Sequence, residues 1–253
     1  MILAVLQARL SSRRLPGKVL KPILGTPMLL HQIRRIERTK LIDKLVVATS
    51  EDQTDDPIAA LCDANNMTCF RGALDDVLDR FYNAARPYNP KHVVRLTGDC
   101  PLTDPEIIDK VIKLHLECGN DYTSNALEPT FPDGLDNEAV KFSVLSEAWR
   151  KADTQAQREH VTLYITHNRN EFKCGCLRSE EDLSSLRWTV DEPQDFKFVS
   201  DIYENLYPVK ADFNYHDILQ FLRIHPEIAA VNSQFIRNQG LIDSLSADSK
   251  IKR

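Results

Sequence analysis

From residue 2 to residue 8 the chain is apolar except at Gln7, and an apolar run without polar alternation predicts a strand buried on both faces. The period then lengthens. Leu29, Leu30, Ile33 and Ile36 recur at helical spacing and predict a helix of about a dozen residues beginning at Pro27, a residue suited to a first turn. A second strand is predicted over 44–49, a helix over 55–66 with Pro57 near its start, and a short third strand over 67–70. A helix follows over 75–86, with Val77, Leu78, Phe81, Tyr82 and Ala85 on one face, and then a fourth strand over 92–96. Asp104 and Pro105 open the next helix as N-cap and first residue, turning Ile107, Ile108, Val111 and Ile112 inward. Strand alternating with helix at this spacing predicts right-handed crossovers and an α/β fold whose mainly parallel sheet is flanked by helices.

Past residue 117 the rhythm changes. Residues 134–142, 172–177 and 186–190 read as strands, and 159–168 and 193–206 as helices, the last burying Phe196, Val199, Ile202 and Leu206. These segments predict an inserted strand and helix unit within 120–170 and closing strands of the same sheet. No linker rich in Gly, Ser or Pro and no internal repeat interrupts the chain. One domain over 1–238 is therefore expected, followed by a polar, loosely held tail over 239–253.

Composition narrows the class. At 253 residues, with 42% hydrophobic and 27% charged residues, the chain can bury a core without disulfides or a structural metal, and a disordered or low-complexity protein is excluded. No apolar run reaches the roughly 20 residues of a membrane span, so no membrane partner is expected. Six scattered cysteines suit the reduced thiols of a cytoplasmic protein. A net charge of −5 argues against a nucleic-acid partner, yet residues 1–40 hold nine Lys and Arg against one acid, Glu37. A basic segment on an acidic body suits a small polyanionic ligand.

That segment centres on Gln7–Leu20, QARLSSRRLPGKVL, directly behind the first strand. Open α/β sheets bind ligands at the C-terminal ends of their strands. An acid-free loop with Arg9, Ser12, Arg13, Arg14, Gly17 and Lys18 offers guanidinium forks, a point charge and free N–H groups to phosphates. It matches neither the Walker loop nor the G-x-G-x-x-G dinucleotide loop. Two carboxylates, Asp99 in RLTGDCP and Asp191 in RWTVDEP, end other strands and are expected to face the loop as a Mg²⁺ site. Capping is the competing role for an aspartate ahead of a helix; it is assigned to Asp104 and remains open for Asp191. Arg34, Arg35 and Lys113 read as solvated faces, and Cys174 and Cys176 as ordinary thiols.

The motif A-R-x-S-S-x-R-L-P-G-K-x-L at 8–20, followed by P-x-x-G-x-P-M, resembles the signature of the CMP-sugar synthetases. These include CMP-Kdo synthetase, acylneuraminate cytidylyltransferase and the spore coat polysaccharide protein F group, which fits best. T-G-D-C-P-L-x-D-P at 97–105, F-P-D-G-L-D at 131–136, R-E-H-V-T at 158–162 and T-V-D-E-P-x-D at 189–195 extend the resemblance over about 1–205. It implies a Rossmann-like nucleotidyltransferase fold, CTP-dependent transfer of CMP to a 2-keto-3-deoxy sugar acid, release of pyrophosphate, and a homodimer. Arg9 and Lys18 then match the triphosphate-binding residues, and Asp99 and Asp191 the metal ligands. Arg71 resembles the arginine that reads cytosine, while Leu6 and Ala8 would offer backbone groups to the base. Thr97 stands where the Kdo branch carries glutamine, and Thr26 where a lysine is usual.

Catalysis is assigned to Arg9, Lys18 and Asp99, with Asp99 or a metal-bound water as proton acceptor. For the acceptor sugar, Asp133, Asp136 and Glu138 are expected to take hydroxyls, and Arg158 or His160 to pair with a carboxylate or phosphate; an ordinary turn and helix start remain the alternative. A nucleotidylyltransferase with a sugar-phosphate or phosphonate acceptor is the rival function. A nucleotide-sugar glycosyltransferase is a more distant one, since no aspartate here is followed by another two positions on, as its D-x-D would require.

Overall fold

The opening apolar run forms β1 (Ile2–Gln7), whose Leu3, Ala4, Val5 and Leu6 are wholly buried in the computed structural model, which describes residues 1–251. The cationic loop leads into a hairpin, β2 (Pro22–Ile23) and β3 (Thr26–Pro27), and then α1 (Met28–Ile36), with Pro27 as its N-cap. β4 (Lys44–Ser50), α2 (Asp56–Ala64), β5 (Cys69–Gly72), α3 (Val77–Ala85), β6 (His92–Thr97) and α4 (Pro105–Glu117) follow in the expected alternation. Asp104 caps α4, accepting from Glu106 N at 2.9 Å, as expected of it.

The second half contains β7 (Tyr122–Ser124), β8 (Glu138–Lys141), α5 (Phe142–Lys151), α6 (Gln155–Glu159), α7 (Leu163–His167) and β9 (Cys174–Cys176). After it come α8 (Pro193–Leu206), α9 (Tyr215–Ile224), α10 (Pro226–Ala229) and α11 (Gln239–Ile251). The main sheet runs β5-β4-β1-β6-β8-β7-β9. β1 lies parallel between β4 and β6, with Leu6 opposite Val47 and Leu96, while β8 turns antiparallel to β6. The period-two alternation divides the core. Ala4, Leu6, Val94 and Leu96 pack with α1, α4, α8 and α9 on one face, and Leu3, Val5 and Val93 with α3, α5 and α7 on the other. All six cysteines are free thiols. No helix among the described residues is long and apolar enough to cross a membrane.

Several expectations differ from the structure. Residues 186–190 are not a strand: Arg187 makes one isolated bridge to Asp133, and Trp188 N and Val190 N donate to the carbonyls of Asp133 and Asp99, on two different loops. The helix expected over 159–168 is broken into α6 and α7, because His160 leaves the helical region at ψ 69°. Only Glu138–Lys141 of the strand expected over 134–142 pairs with the sheet, and Phe142 already begins α5. Arg35 is buried, donating to Thr103 O at 2.7 Å with its guanidinium 4.4 Å from the centre of the Phe213 ring. The polar segment from Gln239 is helical and rests on α6.

Two glycines are required by close approach. A Cβ at Gly98 would lie 2.9 Å from Gln7 O, where Gly98 N donates at 2.7 Å, so only glycine lets β6 leave the sheet against the end of β1. Gly134, at φ 106°, has the Thr189 N 2.4 Å from where a Cβ would stand. It accounts for the F-P-D-G turn, which is pressed onto the 187–191 segment.

Asp195 anchors that segment. It is wholly buried, accepts from Asp191 N and Glu192 N at 2.9 Å each, and pairs with Arg187 Nη2 at 2.9 Å. Burial opposes its charge, but Arg187, these two N–H groups and Asn232 hold the carboxyl below its ordinary 3.8. Its stabilising contribution is therefore complete above pH 4 and lost as the pH falls below it. Asp195→Asn is expected to cost about 1.5–3 kcal/mol at pH 7 by urea unfolding. The loss should shrink below pH 4; an equal loss at pH 3 and pH 7 would remove the linkage.

Candidate active site

The cationic loop is built from its own backbone and one buried acid. Ser12 N and Gly17 N both donate to Leu10 O at 2.9 Å, and Leu10 N donates to Asp55 Oδ1 at 2.7 Å. Asp55, wholly buried ahead of α2, thereby ties the loop to β4 through Ser50. Gly17 takes φ 70°, which turns the chain so that Lys18 points inward.

Lys18 is 7% exposed, and its ammonium meets three partners. It donates to Val190 O at 2.6 Å and to Asp191 Oδ1 at 2.9 Å, and lies 3.4 Å from Asp99 Oδ2. The two carboxylates, one just past β6 and one from the loop ahead of α8, thus converge on one cation. Burial works against the charge of Lys18, but Asp99 and Asp191 outweigh it and raise its pKa above the lysine value. Burial likewise pushes Asp99 up, while Lys18, the Thr97 hydroxyl and the Cys100 thiol bring it below the usual range. Both groups therefore carry charge at neutral pH.

Asp191 is surrounded by cations: Lys18, Arg14 Nη2 at 3.1 Å and Arg187 Nη2 at 3.0 Å. The capping role left open for it belongs instead to Glu192, whose box with Asp195 starts α8. Arg14 also reaches Glu192 at 3.4 Å, and Arg9 lies 4.0 Å from Glu159. Both arginines are partly exposed and available to an anion.

These groups line a cavity of about 670 Å³ at the C-terminal ends of β1 and β6, a size suited to a nucleotide-sized ligand. Of the expected nucleotide-site residues it brings together Ala8, Arg9, Ser12, Arg13, Arg14, Lys18 and Thr97, along with Asp99 and Asp191. Leu6 lies inside the ladder, fully buried, and does not line it. Arg71 does not line it either: its Nε donates to Ser50 O at 2.9 Å, its Nη2 to Asp52 O at 3.0 Å, and it pairs with Asp56 at 2.7 Å.

Arg80 does, and sequence reasoning passed it over. It is 1% exposed on α3, its Nη1 donates to Ala73 O and Leu74 O, and its Nε has no protein partner. Burial, then the positive charge of Arg9, push it down to about 10. The available signal was its place beside Val77, Phe81 and Ala84 on the apolar side of a helix, where an arginine needs a reason.

The five expected acceptor residues all lie outside the lining of this cavity, each engaged by a partner. Asp133 pairs with Arg187 at 3.2 Å, and Asp136 with Arg237. Glu138 pairs with Arg95 at 2.7 Å across β8 and β6. Arg158 donates through Nε to Asp76 at 2.8 Å and through Nη1 to Trp149 O at 2.7 Å, and His160 Nε2 bonds Ser244 Oγ at 3.0 Å.

No cluster of three or more His, Cys, Asp and Glu suited to a metal is present among the described residues. Two carboxylates converging on one ammonium are nevertheless a hard-oxygen pair of the kind magnesium uses, with water and phosphate oxygens completing its shell.

The cytidylyltransferase family profile matches residues 3–220. The spore coat polysaccharide biosynthesis protein SpsF of Bacillus subtilis (strain 168) is 33% identical over 235 residues, covering 90% of this chain and 96% of that protein. A cytidylyltransferase from Leptospira borgpetersenii superposes with a TM-score of 0.87 at 31% identity, over 94% of this chain and 99% of that one. A CMP:2-keto-3-deoxy-manno-octonic acid synthetase complexed with CTP shares the fold, with a TM-score of 0.59 at 15% identity over 80% and 98% of the two chains.

The geometry separates two arginines. Arg158→Met is expected to lower stability by about 1.5–3 kcal/mol, the range for hydrogen bonds to charged groups, in thermal or urea unfolding. Arg71→Met is expected to leave CTP affinity within about twofold by calorimetry, a change of less than 0.5 kcal/mol. A tenfold loss of CTP affinity in Arg71→Met would return that residue to the nucleotide site.

Proposed function

The chain belongs to the cytidylyltransferase family, and from that premise we propose that it transfers CMP from CTP to a 2-keto-3-deoxy sugar acid with release of pyrophosphate. The product would serve cell-surface polysaccharide synthesis, a reading supported by the likeness to SpsF. The observation that carries the reaction type is the meeting of Lys18, Asp99 and Asp191 on one cavity wall, beside Arg9, Arg13 and Arg14.

In the proposed reaction an acceptor hydroxyl oxygen attacks the α-phosphorus, the bond to the bridging oxygen breaks, and pyrophosphate leaves carrying the charge. Arg9, Arg13, Arg14 and Lys18 neutralise that charge as it develops, and in a water-poor cavity such fixed cations supply most of the acceleration. Lys18 is already held charged and pointed inward, and a phosphate oxygen would take the place of one of its three present partners. Asp99, kept ionised, takes the acceptor proton. Asp99 and Asp191 would hold magnesium, which when bound offsets charge on phosphate oxygens. Ala8 and Thr97 line the nucleotide's position. Under this reading the protein acts in the cytoplasm as a homodimer.

With Mg²⁺ and a panel of ulosonic and nonulosonic acids, pyrophosphate release is expected to be far faster from CTP than from ATP, GTP or UTP. Equal rates from all four would reject the cytidine assignment. Lys18→Ala, Asp99→Asn and Asp191→Asn are each expected to lower turnover by at least about 10²-fold; near-normal turnover in any one removes that residue from the mechanism.

A further inference from the structure

The cavity has one wall that the reaction leaves unexplained. Helix α11 contributes Gln239, Gly240, Asp243, Ser244, Ala247 and Asp248 to its lining, a one-faced set at helical spacing. The same lining holds Arg9, Arg13, Arg14, Lys18 and Arg80. Apart from the helix, five cations stand against four acids in the lining, Asp75, Asp99, Glu159 and Asp191, and the two carboxylates of the helix reverse that balance.

Polar contacts to α6 hold α11 in place. Ala156 N, in the first turn of α6, donates to Asp248 Oδ2 at 3.1 Å. Ser244 Oγ lies 3.0 Å from both His160 Nε2 and Glu159 Oε2. None of the side chains from 239 to 249 is buried, and Ile242 and Leu245 are 48% and 37% exposed. Without a buried apolar face, a helix lacks the contribution that fixes most helices to a core, and such elements open at low cost. The contacts that hold α11 also occupy Glu159, which lines the cavity, and His160 beside it.

We propose that α11 is a displaceable lid that presents Asp243 and Asp248 to the cationic cavity in the free protein and is expelled by the triphosphate. Two carboxylates bordering a site for a polyanion repel it, so the closed helix and the nucleotide compete for the same positive field. Expulsion breaks the Ser244 contacts and frees Glu159 and His160 as the ligand enters. The proposal rests on the nucleotide reading of the cavity, yet it requires only a polyanion and neither cytosine nor a sugar acid.

Inorganic triphosphate is therefore the probe, with CTP and UTP beside it, measured by calorimetry on the full chain and on variants. Asp243→Asn with Asp248→Asn keeps the hydrogen-bonding shape and removes the charge; it is expected to bind triphosphate about threefold tighter or better. The chain ending at residue 238 is expected to change in the same direction. That deletion also removes Lys250, Lys252 and Arg253, so the Asn pair isolates the carboxylates and remains informative if the shortened chain folds poorly. Hydrogen exchange of the 239–249 amides in the full chain is expected to speed up when triphosphate saturates. Unchanged or weaker binding by the Asn pair, or slower exchange with ligand, would overturn the lid. Tighter triphosphate binding by the Asn pair with equal affinity for CTP and UTP would keep the lid and reject cytidine instead.

Discussion

One ammonium group joins three parts of the chain that are far apart in sequence. Lys18, from the loop behind β1, bonds the Asp191 carboxylate and the Val190 carbonyl and stands beside the Asp99 carboxylate at the end of β6. Each of these groups would be costly to bury alone. A buried ammonium needs its counter-charges, and each carboxylate needs a cation or water. The three are stable together because the sheet register and Gly98 bring β1 and β6 to the same height, while Val190 N, donating to Asp99 O at 2.8 Å, holds the third segment there. The excess of cations around Asp191 makes the arrangement asymmetric. Lys18, Arg14 and Arg187 converge on that one carboxylate, and each is shared with a second acid, Asp99, Glu192 and Asp195 in turn.

That arrangement explains which parts were legible in the amino-acid sequence. β1, β4, β6, α1, α3 and α4 lie in the parallel half, where burial on both sheet faces writes continuous apolar runs and capping residues mark helix starts. The cationic loop was legible because it has no acid of its own, and Asp99 and Asp191 because each closely follows a segment that reads as a strand. Past residue 117 the signal weakens for a physical reason. β7 and β9 are three residues each, too short to show alternation, and the 186–190 segment is apolar because Trp188 and Val190 are buried in loop packing rather than in a sheet.

The expected acceptor residues show a different limit of local reading. Asp133, Asp136, Glu138, Arg158 and His160 have the right chemistry for a sugar acid, but the partners that engage them come from 43 to 101 residues away: Arg187, Arg237, Arg95, Asp76 and Ser244. Local reading shows that a residue is charged and near a turn; it does not show the opposing charge that the fold brings to it. Arg71 and Arg80 make the same point within ten residues of chain. Arg71, within β5, is held by carbonyls at and just past the end of β4, while Arg80, in the interior of α3, reaches the cavity wall.

Gathering five basic side chains at one cavity has a cost in the free protein, since like charges repel across a low-dielectric space. Burial is the first cause of the lowered pKa of Arg80, and repulsion from Arg9 adds to it. Part of it is relieved by permanent counter-charges, Asp99, Asp191 and Glu192, which remain when a ligand enters. The rest can be relieved by charges that leave. A helix held by hydrogen bonds to Ala156, Glu159 and His160, without a buried apolar face, supplies carboxylates of the second kind. Permanent acids set where a polyanion's charge must be shared with a metal; removable ones set how strongly the empty cavity attracts it.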